Sequence, residues 1–340
     1  MDMPDFKHFV KKIANNETLN VDEAAQAFDI MMSGDATPSQ MGAFLMGLKL
    51  RGETQDEITG AVKTMRAKAH IVSAPEGAID IVGTGGDMAH TLNISTATAI
   101  VVAGAGVTVA KHGNRASSSK SGTADALACL GLDLDTEFEN VERAMREANI
   151  GFLMAQRHHG AMRNVGPTRI EMGVPTIFNL LGPLSNPALV KRYMIGTYRA
   201  DTIDLMAQTL GDLGAEHAWV VHGADGLDEL STTGTSQICE YKNGELNKFE
   251  MHPSDVGLKE VMLEDLRGGT PEENATAITR LLDGETGAYR DVVLYNAAAS
   301  LVVAGKADDM KNGISIASAS IDDGQAKAAL TKLVEIAGLK

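Results

Sequence analysis

Apolar residues recur at helical spacing through the first seventy positions, and each run follows a helix-start signal. Asn20 and Glu23 form a capping pair ahead of Val21, Ala24, Ala25, Phe28 and Met32, which share one face. Thr37-Pro38-Ser39-Gln40 combines an N-cap, a proline at N1 and a capping-box glutamine, and Met41, Phe44, Leu45 and Leu48 follow on one stripe. A third run opens at Thr54-Gln55-Asp56-Glu57 and continues through Ile58, Val62 and Met65. The pattern predicts a packed helical unit with no visible chemistry. From Ile79 the period changes: short β-branched runs at Ile79 to Val82, Val107 to Ala110 and Ala218 to His222 alternate with helical stretches. Thr270-Pro271-Glu272-Glu273 is another capping box, and an alanine-rich helix is expected from about Ala288 to Gly305.

The expected fold is therefore α/β: a small N-terminal helical domain over 1–72, with a returning segment near 168–190, and a larger domain over 73–340 whose mostly parallel central sheet is flanked by helices. Residues Asn179 to Pro187, with two prolines and a glycine, read as a loop crossing between the two units. No internal repeat or long linker separates the units, so they are expected to share an interface.

Composition narrows the function. The 340 residues carry 30 Lys plus Arg against 45 Asp plus Glu, a net charge of −15, so an extended polyphosphate backbone meets a repulsive field and nucleic acid is disfavoured as a partner. Cys129 and Cys239 stand far apart, without zinc or disulfide spacing, and read as small buried hydrophobes in a reducing compartment. Residues 1–12 lack a long apolar segment, and the apolar stretch from Ala97 to Ala110 is too short for a membrane span, so a soluble, cytoplasmic protein is expected.

Polar chemistry concentrates in four places. Asp80-Ile81-Val82-Gly83-Thr84-Gly85-Gly86-Asp87 follows a strand and leads to Asn93-Ile94-Ser95-Thr96 at a helix start. Glycines let successive N–H groups converge on an anion, and a helix N-terminus adds partial positive charge; a tight turn with ordinary caps reads equally well from these glycines alone. Neither a Walker A nor a dinucleotide fingerprint is present. Lys111 through Asp125 holds three cations, four serines and a threonine, a dense supply of donors for phosphate oxygens. Both segments follow strands, so they should meet at the carboxyl edge of the sheet, around a pyrophosphate or ribose phosphate. Asp225 through Ser231 places Asp228 and Glu229 side by side after a strand, either as ligands for Mg²⁺ shared with substrate phosphates or as an acidic helix start. Finally, Met154, Met162 and a glycine suggest a pocket wall around His158 and His159, whose spacing does not suit zinc, while Arg169 is placed to pair with a carboxylate.

In order along the chain, GTGGD, NIST, KHGNR followed by SSxSG, FLMAxxHHxAM, TIFNLLGPLSNPA and DGLDE resemble the anthranilate phosphoribosyltransferase family, over essentially the whole length. The resemblance implies a helical domain joined to an α/β domain related to the pyrimidine nucleoside phosphorylases, and homodimers formed through the helical part. It also implies transfer of the 5-phosphoribosyl group from phosphoribosyl pyrophosphate to the amine of anthranilate, in tryptophan biosynthesis, with Mg²⁺ as cofactor. Position by position it assigns phosphoribosyl pyrophosphate to Gly83, Gly86, Asp87, Thr91, Asn93, Ile94, Ser95, Thr96, Lys111, His112, Gly113, Asn114, Arg115, Ala116, Ser117, Ser118, Ser119 and Thr123. Anthranilate falls to Gly83, Asn114 and Arg169, and the metal to Ser95, Asp228 and Glu229; no catalytic base is implied. Departures from the family pattern are local: Met88 and Ala89 follow GTGGD where small or polar residues are usual, Ser117 stands where an aliphatic is common, and Gln156 and Gly160 replace frequent prolines. Ile170 replaces a frequent arginine, and Met172-Gly173-Val174-Pro175 stands where Leu-Gly-x-Arg is common; these departures bear on the shape of the anthranilate channel. The alternatives are a pyrimidine nucleoside phosphorylase and a non-catalytic paralogue that binds nucleic acid.

Overall fold

The N-terminal segment folds into four helices, α1 (Lys7–Ala14) and, on the three capped apolar runs, α2 (Val21–Ser33), α3 (Pro38–Arg51) and α4 (Gln55–Lys68). The computed structural model describes residues 5–115 and 121–339. Reciprocal capping boxes start α2, α3 and α4 at Asn20, Thr37 and Thr54, as the sequence pattern predicts. Glu57 does more than cap. Its carboxylate is fully buried, accepts hydrogen bonds from the backbone N–H groups of Leu19 (3.0 Å) and Thr54 (2.9 Å), and pairs with Arg51, so it ties α4 to the start of α2 and the end of α3. Gly60 lets α2 and α4 touch: a Cβ there would stand 2.3 Å from the Val21 carbonyl oxygen.

The α/β part continues with β1 (Ile79–Gly83), α5 (Ile94–Gly104), β2 (Val109–Gly113), α6 (Thr123–Cys129), α7 (Phe138–Glu147), β3 (Ile150–Met154), α8 (Ala155–His158), α9 (Gly166–Met172) and α10 (Phe178–Leu184). It is completed by β4 (Arg192–Gly196), α11 (Ile203–Asp212), β5 (His217–His222), β6 (Ser236–Lys242), β7 (Glu245–Met251), α12 (Pro271–Leu282), α13 (Ala288–Val303), α14 (Met310–Asp322) and α15 (Gln325–Ala337). The sheet order is β3-β2-β1-β4-β5-β6-β7. The first five strands in that order run parallel, and β6 and β7 form an antiparallel edge. The chain reverses its direction of winding between β1 and β4, so a crevice opens at their carboxyl ends, the place where doubly wound sheets take ligands.

Helix α5, buried almost throughout, packs with α13, α14 and α15 on one face of the sheet. The other face is continuous with the N-terminal helices: Phe28 of α2 meets Phe178 of α10 edge-on, with ring centroids 5.5 Å apart.

Three sequence expectations are corrected. The strand placed over Val107 to Ala110 runs from Val109 to Gly113, because Lys111 and His112 are themselves buried in the sheet. The loop expected over Asn179 to Pro187 is helical as far as Leu184; burial of Phe178, Leu180, Leu181 and Leu184 outweighs the loss of one donor at Pro183. Cys129 is exposed, since it ends α6 on the side opposite Ala124, Ala126 and Leu127, whereas Cys239 is buried as expected.

Candidate active site

The carboxyl ends of β1, β2 and β5 bring the first three polar clusters together. Strand β5 delivers Asp228 through a loop that passes directly over the ends of β1 and β4. A Cβ on Gly83 would lie 2.1 Å from Asp228 Oδ2, and one on Gly196, paired with Gly83 in the sheet, would lie 1.5 Å from the Asp228 carbonyl oxygen. Only glycines allow this approach. The Gly85 N–H donates to Asp228 Oδ2 at 2.6 Å. Downstream, Gly85, Gly86, Met88 and His90 all hold positive φ. For Met88 and His90 this is an unfavourable conformation, of the kind that concentrates at ligand loops.

The electrostatics are those of a site built around charge. Asp228 is buried and faces Asp87, and burial first, then Asp87, pushes its carboxyl up to about 7. Burial and the neighbouring Asp228 hold the Glu229 carboxyl well above its ordinary range, while the Ser95 backbone N–H donates to it. The Lys111 ammonium is buried at 1% exposure, donates to the Ile81 carbonyl at 2.6 Å, and stands in the field of Asp80, Glu229 and Asp228. Burial pushes it down and the three carboxyl groups oppose that shift. Asp80, buried beneath, accepts the His112 N–H at 3.0 Å, and burial raises its carboxyl to about 6. Lys111 is thus an internal counter-charge first, not the free loop cation its place in the sequence suggests.

Hard-oxygen groups crowded in this way suit a divalent cation, which relieves carboxylate repulsion. Among the described residues no group of three acidic, histidine or cysteine side chains is arranged to hold a metal alone. A cation seated on Asp228 and Glu229 therefore needs further oxygens, which phosphates and water supply in the usual Mg²⁺ arrangement.

The remaining expected residues separate into groups. Asn93, at the start of α5, makes no cap; its Oδ1 instead accepts from Ser121 Oγ at 3.1 Å and Asn274 Nδ2 at 2.8 Å. Thr96 Oγ1 reaches Thr123 Oγ1 at 3.4 Å, joining the first two clusters. Ile94 is buried in the core, so only its backbone faces the edge. Thr91 bridges Arg267, and His90, Thr91, Ser121, Arg267 and Asn274 line a cleft of about 320 Å³. Asn114 Oδ1 is turned onto the Arg115 N–H at 2.8 Å, and Arg115 leans away to Asp125 at 3.2 Å. Ala116, Ser117, Ser118 and Ser119 lie outside the described residues.

Arg169 stands apart on α9. Its guanidinium lies 5.1 Å over the Phe178 ring, burial pulls its pKa down, and it has no ion pair among the described residues. His112 and His159 have ring centroids 5.2 Å apart and are held neutral by burial, His159 with a pKa of about 4. Sequence reasoning missed Asp80 as a charge partner, and it missed Asn274 and Tyr289, whose hydroxyl donates to the Asn93 carbonyl at 3.1 Å. The one signal for Asn274 was the pair Gly268-Gly269 just ahead of a capping box.

Comparison with known proteins agrees over the full length. Residues 75–327 match the family model described as glycosyl transferase family, a/b domain, and residues 7–69 match glycosyl transferase family, helical bundle domain. The chain is 58% identical over 334 residues to the anthranilate phosphoribosyltransferase of Rhodopseudomonas palustris strain TIE-1, covering 98% of this chain and 99% of that one. The crystal structure of anthranilate phosphoribosyltransferase from Thermus thermophilus superposes with a TM-score of 0.92 at 42% identity, covering 96% of this chain and 98% of that chain. The Saccharomyces cerevisiae enzyme in complex with PRPP and Mg superposes at 0.90 with 28% identity, covering 99% of each chain.

Proposed function

The chain belongs to the anthranilate phosphoribosyltransferase family, and from that premise we propose how its sheet edge carries out transfer of the 5-phosphoribosyl group from phosphoribosyl pyrophosphate to anthranilate. The products are N-(5-phosphoribosyl)anthranilate and pyrophosphate, in the route to tryptophan. The observation that carries the assignment of residues is the convergence of the Gly83–Asp87 loop, Lys111 and Asp228-Glu229 at the switch point between β1 and β4.

Breaking the bond from ribose C1 to pyrophosphate develops oxocarbenium character on the sugar and negative charge on the leaving group. The Gly83 to Asp87 backbone and the donors Asn93, Ser95 and Thr96 at the start of α5 hold phosphate oxygens, and Lys111 adds positive charge from below. Mg²⁺ held by Asp228 and Glu229, with Ser95 beside them, supplies charge neutralisation for the pyrophosphate. Arg169, over the Phe178 ring and without an ion pair among the described residues, takes the anthranilate carboxylate, and the family resemblance adds Asn114 and Gly83 as its companions. The aromatic amine of anthranilate is neutral at pH 7, so its lone pair forms the bond to C1 as the bond to pyrophosphate breaks, without prior removal of a proton. The strongly acidic anilinium nitrogen so formed then gives one proton to water or to the departing pyrophosphate, and what the protein supplies is chiefly orientation. His112 and His159, kept neutral, add no charge to the site.

The helical unit of 1–72 with its return at 168–190 is inferred to form a homodimer interface, because Leu50 on α3 and Ile170 on the adjoining α9 are 80% and 82% exposed. No described helix is long and apolar enough to cross a membrane, and we infer a cytoplasmic setting. The test of function is the loss of anthranilate fluorescence when the protein is mixed with phosphoribosyl pyrophosphate and Mg²⁺. Phosphorolysis of thymidine or uridine without that loss would replace this reading with the nucleoside phosphorylase one.

A further inference from the structure

Asn93 is held by four donors. Its carbonyl accepts from Ala97 N–H at 3.2 Å and Tyr289 OH at 3.1 Å, and its Oδ1 accepts from both Ser121 and Asn274. Asn274 is 1% exposed and is itself oriented, because its Oδ1 accepts the Gly269 N–H at 2.9 Å. The Gly269 donor fixes which end of the Asn274 amide is nitrogen, and that nitrogen fixes which end of the Asn93 amide is oxygen. With Oδ1 engaged twice, Asn93 Nδ2 donates to no described residue. The relay runs from a backbone N–H at the start of α12, across Asn274, to a side chain at the start of α5, 181 residues away in sequence.

We propose that Asn274 is a positioning residue for the transferase reaction: it locks the Asn93 amide with its NH₂ toward an anionic oxygen of phosphoribosyl pyrophosphate. Without that lock the amide is free to flip and present its oxygen to the anion, which turns an attraction into a repulsion. The same α12 start brings Arg267 to the cleft beside Thr91, so the segment closes one side of the site with the chain's C-terminal third. The proposal rests on the reading of Asn93 as a phosphoribosyl-pyrophosphate contact, and the experiment separates the two.

Asn93→Ala, Asn93→Asp and Asn274→Asp are compared with the unaltered protein in steady-state kinetics, with Mg²⁺ present and the fold checked by circular dichroism. Asn274→Asp keeps an acceptor for Gly269 but sets an oxygen against Asn93 Oδ1. Asn93→Asp keeps the acceptor for Asn274 and aims a carboxylate at the substrate. The expected result is that Asn93→Ala raises the KM for phosphoribosyl pyrophosphate about 10- to 100-fold, the loss of one hydrogen bond to a charged group. Asn93→Asp raises it further, Asn274→Asp raises it at least as much as Asn93→Ala, and the KM for anthranilate changes little. In the Asn93→Ala background, Asn274→Asp adds nothing. If neither Asn93 variant moves the KM for phosphoribosyl pyrophosphate, the placement of Asn93 is wrong and the proposal goes with it. If Asn93→Ala moves it and folded Asn274→Asp does not, the placement stands and the positioning role is overturned. Should Asn274→Asp fail to fold, Asn93→Asp decides: a KM no higher than that of Asn93→Ala overturns the stated orientation.

Discussion

Asp228 is buried at the expense of stability, and Asp228→Asn makes that measurable. Its carboxyl lies buried against Asp87 and is raised from the ordinary 3.8 to about 7. A group that holds its proton more tightly in the fold than in the unfolded chain stabilises fully below its unfolded pKa, and that stability is lost as pH climbs through the folded value. The window is therefore about pH 4 to 7, and the loss across it is on the order of 4 kcal/mol from Asp228. Asp80, raised by burial to about 6, slopes the same way. Asparagine retains an oxygen for the Gly85 N–H and carries no charge to bury. The variant should exceed the parent in stability by on the order of 4 kcal/mol at pH 8, and by less than about half of that at pH 5. Turnover should fall by about 10² to 10³. Mg²⁺ at a hundredfold over its Kd should add about 2.7 kcal/mol to the parent and much less to the variant. Urea titrations from pH 5 to 8 with and without Mg²⁺, alongside the fluorescence assay, supply these numbers. A parent whose stability is flat over that range, with a variant equally stable at pH 8, would refute the electrostatic account. Undiminished turnover would refute the metal assignment.

Other outcomes follow from the same geometry. Arg169→Ala should raise the KM for anthranilate about 10- to 100-fold with little change for phosphoribosyl pyrophosphate, since a charged contact to one substrate is lost; equal effects on both substrates would make it a structural or phosphate residue. Gly83→Ala puts a methyl group 2.1 Å from Asp228 Oδ2, so kcat should drop about 100-fold in a protein that still melts cooperatively, and normal kinetics would mean the loop moves aside freely. Glu57→Ala strips a buried carboxylate from Arg51 and two backbone donors and should cost about 3–5 kcal/mol in urea unfolding with both KM values unchanged. Replacing Leu50 and Ile170 by glutamate should shift the protein to monomer in sizing experiments, and an unchanged elution volume would remove those residues from the interface.

Local chemistry was readable in the chain before any fold was known. Thr37-Pro38-Ser39-Gln40, Thr54 to Glu57 and Thr270 to Glu273 each begin a helix where they stand, because a cap involves only residues three apart. The glycine loop after β1 and the Asp228-Glu229 pair also stand out in the sequence, the second because adjacent carboxylates repel each other. Tertiary structure decided what faces what. Lys111 sits in a strand and serves Asp80, Asp228 and Glu229, a role set by partners 31, 117 and 118 positions away in a sequence that shows only a basic loop. Residues 178–184 form a helix despite Pro183 because four apolar side chains gain burial there, which no local rule weighs. Asn93 reads as a cap, yet its amide is claimed by Ser121 and Asn274. Propensity and capping are short-range, whereas burial and charge pairing depend on neighbours that only the folded chain supplies.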